Sequence, residues 1–131
     1  MSRKVYDVVV VGAGPEGANL GAKLGQASFD VLLLDKAQLP RYKVCGGGVT
    51  KRAVLKMPVD ITSVIQQSID TLELAHKDGR RVVFKHKRPF LFYVMREELD
   101  FLLAKHAVAC GAELKTGAYV KKSSFPGQPD R

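Results

Sequence analysis

Four residues set the first chemical possibility of this 131-residue chain: Gly12, Gly14 and Gly17, spaced as Gly-x-Gly-x-x-Gly, and Asp35, 18 residues beyond the last glycine. A first glycine permits a tight turn, a second lets bare backbone approach a pyrophosphate, and a third lets a helix lie close against a strand. Phosphates held there meet the unpaired N–H groups and the positive dipole end of a helix beginning at Pro15. The Asp35 carboxylate can accept hydrogen bonds from the 2′ and 3′ hydroxyls of a ribose, and it repels a 2′-phosphate, which disfavours NADP. The chemistry is the gripping of an adenine dinucleotide. Glu16 departs from the pattern, since a small residue usually precedes the third glycine. It reads as a solvated first-turn carboxylate favoured by the helix dipole; turned inward, it would repel the pyrophosphate.

These residues work only if a strand, a helix and a second strand hold them. Val8–Val11 is an apolar run leading into the glycines, residues 15–27 read as a helix, and Val31–Leu34 is a second run ending on Asp35. The small residues Gly14, Gly17, Ala18 and Gly21 form the inner helix face, with Leu20 and Leu24 as its apolar bulk. The fold class is therefore α/β: a Rossmann-like βαβ unit with a parallel sheet. Pro40 and three consecutive glycines keep residues 39–50 from forming a long regular element. Residues 61–68 read as a short helical or irregular piece. Residues 69–76 and 81–86 flank Asp78-Gly79 and predict an inserted β-hairpin with a two-residue turn. A strand is expected over 90–95. Leu99, Leu102, Leu103, His106, Ala107 and Cys110 then recur with helical period, placing His106 and Cys110 on a buried stripe, and Gly111 closes that helix. A final strand is expected over 112–120. Residues 1–120 thus form one dinucleotide-binding domain, and the aperiodic residues 121–131 read as a disordered tail.

Composition narrows the partners. No run of 18 apolar residues exists for a membrane-spanning helix, and no apolar segment follows the N-terminal charges as a signal peptide requires. Two cysteines, Cys45 and Cys110, make neither a disulfide framework nor a zinc ligand set, which suits a reducing compartment, with the cytosol as the default location. The formal charge of +8 is spread along the chain, with clusters at Arg80-Arg81, Lys85-His86-Lys87-Arg88 and Lys121-Lys122. Aromatics are not interleaved with these clusters as base-stacking platforms, so no specific nucleic acid is expected. A solvated basic face, or peripheral contact with an anionic membrane, accounts for the charge.

The most distinctive stretch follows Asp35: Lys36, then Pro40-Arg41-Tyr42-Lys43-Val44-Cys45-Gly46-Gly47-Gly48. Together with Met95-Arg96-Glu97-Glu98-Leu99-Asp100-Phe101-Leu102-Leu103, it resembles the FAD-dependent geranylgeranyl reductase family, in order and without large gaps over residues 6–120. The resemblance implies the fold of flavin hydroxylases, FAD as cofactor, and reduction of carbon–carbon double bonds in isoprenoid chains or prenylated lipids. It implies that Gly12, Gly14, Pro15 and Gly17 hold the pyrophosphate, that Asp35 holds the adenosine ribose, and that Lys36 contacts the cofactor. Arg41, Lys43, Cys45, Gly46 and Gly48 match the segment passing beside the flavin, Arg96 an arginine that contacts FAD, and Val120 a position whose backbone meets the adenine. Cys45 is the catalytic candidate, protonating or positioning the alkene, or else a small packing residue beside the ring. No metal site is implied.

Full members of that family are longer, with a second FAD motif containing Gly-Asp and an apolar substrate domain, neither of which is found here. The chain reads as the N-terminal portion of a reductase with little turnover of its own. Two alternatives stay open: a relative of flavin-dependent aromatic monooxygenases, disfavoured by the Cys-Gly-Gly-Gly string, and a noncatalytic dinucleotide-binding module.

Overall fold

The computed structural model describes residues 4–122, so nine of the eleven positions read as a tail, residues 123–131, lie outside the described residues. Strand β1 (Val8–Val11) runs into helix α1 (Pro15–Gln26) and returns as β2 (Val31–Leu34). Four consecutive valines favour extended backbone because their branched Cβ atoms restrict χ1 and crowd a helical turn. β1 and β2 pair in parallel from Val8 with Val31 to Val11 with Leu34. The chain comes back much later to add β8 (Glu113–Lys115) parallel to the other side of β2. The sheet order is β1-β2-β8, with β2 central and one edge of β1 unpaired among the described residues.

One face of this sheet is covered by α1 and by α3 (Arg96–Ala109), which pack against each other. Val10, Val31 and Leu33 from the sheet meet Ala18 and Ala22 of α1 and Leu99, Leu103 and Ala107 of α3 in one core. Small residues set the spacing. A Cβ at Gly17 would collide with the Gly12 carbonyl oxygen, and one at Gly25 with the Cys110 carbonyl oxygen, so both turns of α1 approach their neighbours more closely than alanine allows. Leu20 does not supply core bulk as its sequence context suggested. It is 48% exposed, because α1 buries a stripe through Ala18, Gly21 and Ala22 that points away from it.

The connection between β2 and α3 carries the antiparallel part. β3 (Gly48–Thr50) and β4 (Ile65–Ile69) flank β7 (Leu91–Val94), after a short helix α2 (Lys51–Val54) and a 3₁₀ turn at Thr62–Val64. The helical or irregular piece expected over 61–68 is helical only at the 3₁₀ turn and is strand from Ile65, since Ile65 to Ile69 find a partner in β7 that periodicity cannot reveal. β5 (Thr71–Ala75) and β6 (Arg81–Lys85) form the predicted hairpin. Its turn has three residues rather than two: the His76 N–H donates to the Arg80 carbonyl, the Gly79 N–H donates to the His76 carbonyl, and Gly79 has φ +88°. That is a type I turn closed by one left-handed glycine, which needs only a single positive φ where a two-residue turn on Asp78-Gly79 would need two. The last strand stops at Lys115 instead of reaching 120, because Gly117 takes φ +67° and the chain turns to run over the end of β2. His106 and Cys110 are half-buried rather than core. The Cys110 thiol takes a hydrogen bond from the Gln26 side chain at 3.3 Å at the margin between α1 and α3.

Candidate functional site

At the carboxyl ends of β1 and β2 the chain leaves a cleft of about 550 Å³ lined by Val11, Gly12, Asp35, Lys36, Ala37, Arg41, Tyr42, Lys43, Val44, Ala118, Tyr119 and Val120. Parallel strands followed by helices leave such crevices because successive connections diverge there. Six of the residues singled out from the sequence converge on this one space: Gly12, Asp35, Lys36, Arg41, Lys43 and Val120. Gly12 turns the chain with φ +106°, and a Cβ there would meet nothing within 4 Å, so bare backbone faces open space. Gly14 is the N-cap of α1 and makes no side-chain cap bond, Pro15 opens the first turn, and Glu16 points into solvent. The first-turn N–H groups are thus left for an anion.

Asp35 is 5% exposed and directly follows β2. Its Oδ2 accepts from the Ala13 N–H at 3.0 Å and faces the Arg41 guanidinium at 3.4 Å, while its Oδ1 accepts from the Ala37 N–H at 3.0 Å. Burial pushes this carboxyl up, but the Ala37 and Ala13 N–H groups and Arg41 outweigh it and hold Asp35 below the usual carboxylate range. A carboxylate offers about four acceptor directions, so one remains on Oδ1 for a ribose hydroxyl. The wall opposite is built by the chain after β8, where the Asp35 N–H donates to the Lys115 carbonyl and the Ala118 N–H to the Asp35 carbonyl, setting Tyr119 and Val120 over the cleft.

Arg41 joins the cleft to α3. Its Nη1 donates to Asp100 Oδ2 at 2.9 Å, and a Cβ at Gly14 would touch its Nη2 at an ordinary 3.8 Å. Asp100 is fully buried and takes two further bonds from Arg96, Nε to Oδ1 at 2.8 Å and Nη2 to Oδ2 at 3.1 Å. One carboxylate therefore holds two guanidiniums, and Arg96 is kept charged above its ordinary pKa chiefly by Asp100. Sequence reading missed Asp100 as a site residue. The available signal was an aspartate on the apolar face of a helix, four residues after Arg96 and four before Ala104, where an unpaired charge would be costly.

Arg96 also faces Cys45. The Gly47 N–H donates to Cys45 Sγ at 3.4 Å, and together with the Arg96 guanidinium it draws the thiol below its ordinary value. Gly47 has φ +70°, and a Cβ on it would strike the Val94 carbonyl oxygen, so β7 pins this loop. Gly46 has open space on its Cα, and Gly48 enters β3 opposite Tyr93. Cys45, Gly46, Gly48 and Arg96 do not line the cleft. They form a second group, linked to it through Asp100 and Arg41.

No family model matches the chain. It is 32% identical over 125 residues to an uncharacterized protein of Methanosarcina barkeri, covering 95% of this chain and 32% of that protein. A digeranylgeranylglycerophospholipid reductase of Methanosarcina acetivorans is 32% identical over 118 residues, 86% of this chain and 29% of the relative. A menaquinone reductase of Mycolicibacterium smegmatis is 53% identical over 51 residues, 39% of this chain and 12% of the relative. The chain thus spans about a third or less of the curated relatives it matches. Among solved structures, a geranylgeranyl bacteriochlorophyll reductase-like protein of Thermoplasma acidophilum superposes with a TM-score of 0.80 at 20% identity, over 86% of this chain and 30% of that one. The myxobacterial chondrochloren halogenase, an FAD-dependent halogenase, gives a TM-score of 0.80 at 20% identity over 95% of this chain and 31% of its own. In sequence and in fold, the chain resembles the FAD-dependent geranylgeranyl reductase family, as the string from Pro40 to Gly48 implies.

Proposed function

We propose that the cleft binds FAD through its ADP half and that the chain is the cofactor-binding part of an oxidoreductase that reduces carbon–carbon double bonds of isoprenoid chains. The observation that carries the cofactor reading is the convergence of Gly12, Asp35, Arg41, Lys43 and Val120 on one crevice at the mouth of a glycine-turn helix. The donor set fits the group. The uncapped α1 N-terminus suits a pyrophosphate, the spare acceptor on Asp35 suits a ribose hydroxyl, and the backbone beyond Gly117 suits an adenine edge. Bound FAD would supply the hydride chemistry. The chain's own residues bind, orient and handle protons: Arg41 and Lys43 bring positive charge, Gly46 leaves room for a flat ring, and Arg96 holds Cys45. A thiol drawn below its ordinary pKa gives up its Sγ proton more readily, which is what protonation of an alkene carbon requires.

Titration with FAD, followed by flavin fluorescence, tests the cofactor reading. Saturable binding displaced poorly by NADPH is expected, and tighter binding of NADPH would overturn it. The isoprenoid reading is tested by replacing the corresponding first third of the Methanosarcina acetivorans digeranylgeranylglycerophospholipid reductase with this chain. Mass spectrometry should find lipid products heavier by two mass units per saturated bond. A folded, FAD-loaded chimera that saturates nothing would count against the isoprenoid assignment while leaving the cofactor reading intact.

A further inference from the structure

Residues 70–89 are exposed without interruption, although they include Leu72, Leu74, Val82, Val83 and Phe84. The cause lies in the hairpin. β5 and β6 pack chiefly on each other, and the pairings of Leu72 with Phe84 and Leu74 with Val82 gather these four side chains on one face of the ribbon, since alternate residues share a face. They remain 40–54% exposed. The other face is mixed: Glu73 bridges Arg81 at 2.8 Å among Thr71 and Lys85, with Val83 as its one large apolar side chain. The ladder continues toward β4 and β7 through the bond from the His86 N–H to the Asp70 carbonyl and that from the Phe90 N–H to the Ile69 carbonyl, so the hairpin is the outer end of one two-stranded arm.

Cations border the apolar face at both ends. Leu74 and Val82 share a shallow groove with His76 and Arg80, and Leu72 and Phe84 share another with Lys85 and His86. Between residues 70 and 89 stand six lysines and arginines, Lys77, Arg80, Arg81, Lys85, Lys87 and Arg88, against three acids, Asp70, Glu73 and Asp78. An apolar face rimmed by an excess of positive charge is complementary to a lipid surface with anionic headgroups, where the aliphatic side chains enter the acyl boundary and the cations meet the headgroups. A nucleic acid would need exposed stacking rings, and Phe84 is the one aromatic residue between 70 and 89, with half-buried Phe90 beside it in the groove.

We propose that the β5–β6 arm is a membrane-docking element that seats Leu72, Leu74, Val82 and Phe84 in an anionic lipid surface. It delivers the chain to lipid rather than acting in the cleft, and it goes beyond the proposed cofactor site without depending on it.

The full chain contains no tryptophan, so Phe84→Trp makes a single reporter on the arm. With phosphatidylglycerol vesicles its emission should shift to the blue, and the chain should co-sediment. With phosphatidylcholine vesicles binding should be at least tenfold weaker. Leu74→Ser with Val82→Ser, and separately Arg80→Glu with Lys85→Glu, should each reduce sedimentation about tenfold or more without changing the far-ultraviolet circular dichroism. Equal binding to both lipids, or an apolar double variant that sediments like the parent, would overturn the proposal. So would concentration-dependent dimerisation abolished by the serine variant with no vesicle binding, which would give the face to a second copy. Binding of duplex DNA in preference to vesicles would assign the charge to nucleic acid and overturn it as well.

Discussion

Asp35 is buried and charged, so the chain's stability should register its protonation. Its folded pKa lies below the ordinary value of 3.8, so it contributes stability that is complete above that value and is lost as pH falls through the lower folded value. Thermal melts from about pH 6 to pH 3 should show a steeper loss of Tm for the parent than for Asp35→Asn. Asp35→Ala should also weaken FAD binding by about 1 to 3 kcal/mol, because ribose hydroxyls lose a charged acceptor; equal affinities by isothermal titration would remove Asp35 from the site. Cys45 offers a separate readout. Alkylation by iodoacetamide, followed by mass spectrometry, should have a midpoint below that of a free thiol, and Arg96→Gln should move it upward, since the guanidinium is one of its two stabilising neighbours. Asp100→Ala leaves Arg41 and Arg96 without their shared buried partner and should cost about 3 kcal/mol or more, read from urea unfolding. These residues differ in how far the sequence exposes them. Asp35 is legible as a candidate because an acid that follows a strand 18 residues beyond a glycine turn stands out in the chain itself. Asp100 is not, because its partners stand 59 and 4 residues away, and only the fold brings Arg41 back to it.

Helix α1 is held to the sheet by an absence of atoms, and Gly17 is the tightest point. Gly17→Ala must push the helix start away from the Gly12 carbonyl, with an expected loss of about 1 to 3 kcal/mol from overpacking and a weaker pyrophosphate site. Circular dichroism melts of this variant beside Gly46→Ala make the comparison, since Gly46 has open space at its Cα and the second substitution should change Tm little. A Gly17→Ala chain as stable as the parent would show that α1 can shift without cost. The βαβ unit was readable at this level because apolar runs, glycines and helix period all agree over 8–35. Strand β4 was not, because Gln66, Gln67 and Ser68 carry no alternation and are strand only by pairing with β7. Nor was the end of β8, whose length depends on where β2 stops needing a partner. The hairpin was legible, but its turn type was not. The pair Asp78-Gly79 fits two- and three-residue loops alike, and register decides between them.

The parallel sheet β1-β2-β8 is covered by helices on a single face. Val9 and Val11 are exposed on the other, and the outer edge of β1 is unpaired among the described residues, a combination that invites strand-to-strand association. The chain spans about a third or less of the curated relatives it matches, and on the proposed reading it can grip ADP while leaving the flavin ring free to move. Anaerobic incubation with chemically reduced FAD and geranylgeranyl diphosphate should therefore give no saturated product, since hydride delivery needs atoms held about 3 to 3.5 Å apart. Cys45-dependent product from this chain alone would contradict that expectation. The placement of β8 also sets an order of events. β1 and β2 meet across one short helix, whereas β8 reaches β2 only after the 78 residues between Leu34 and Glu113 have been made. Long loops close late, so the glycine turn can exist on a nascent chain well before its far wall at Tyr119 and Val120. An ADP-bearing ligand that touches both walls would capture the last closure rather than the first, and would speed the final phase of refolding by trapping the docked strand.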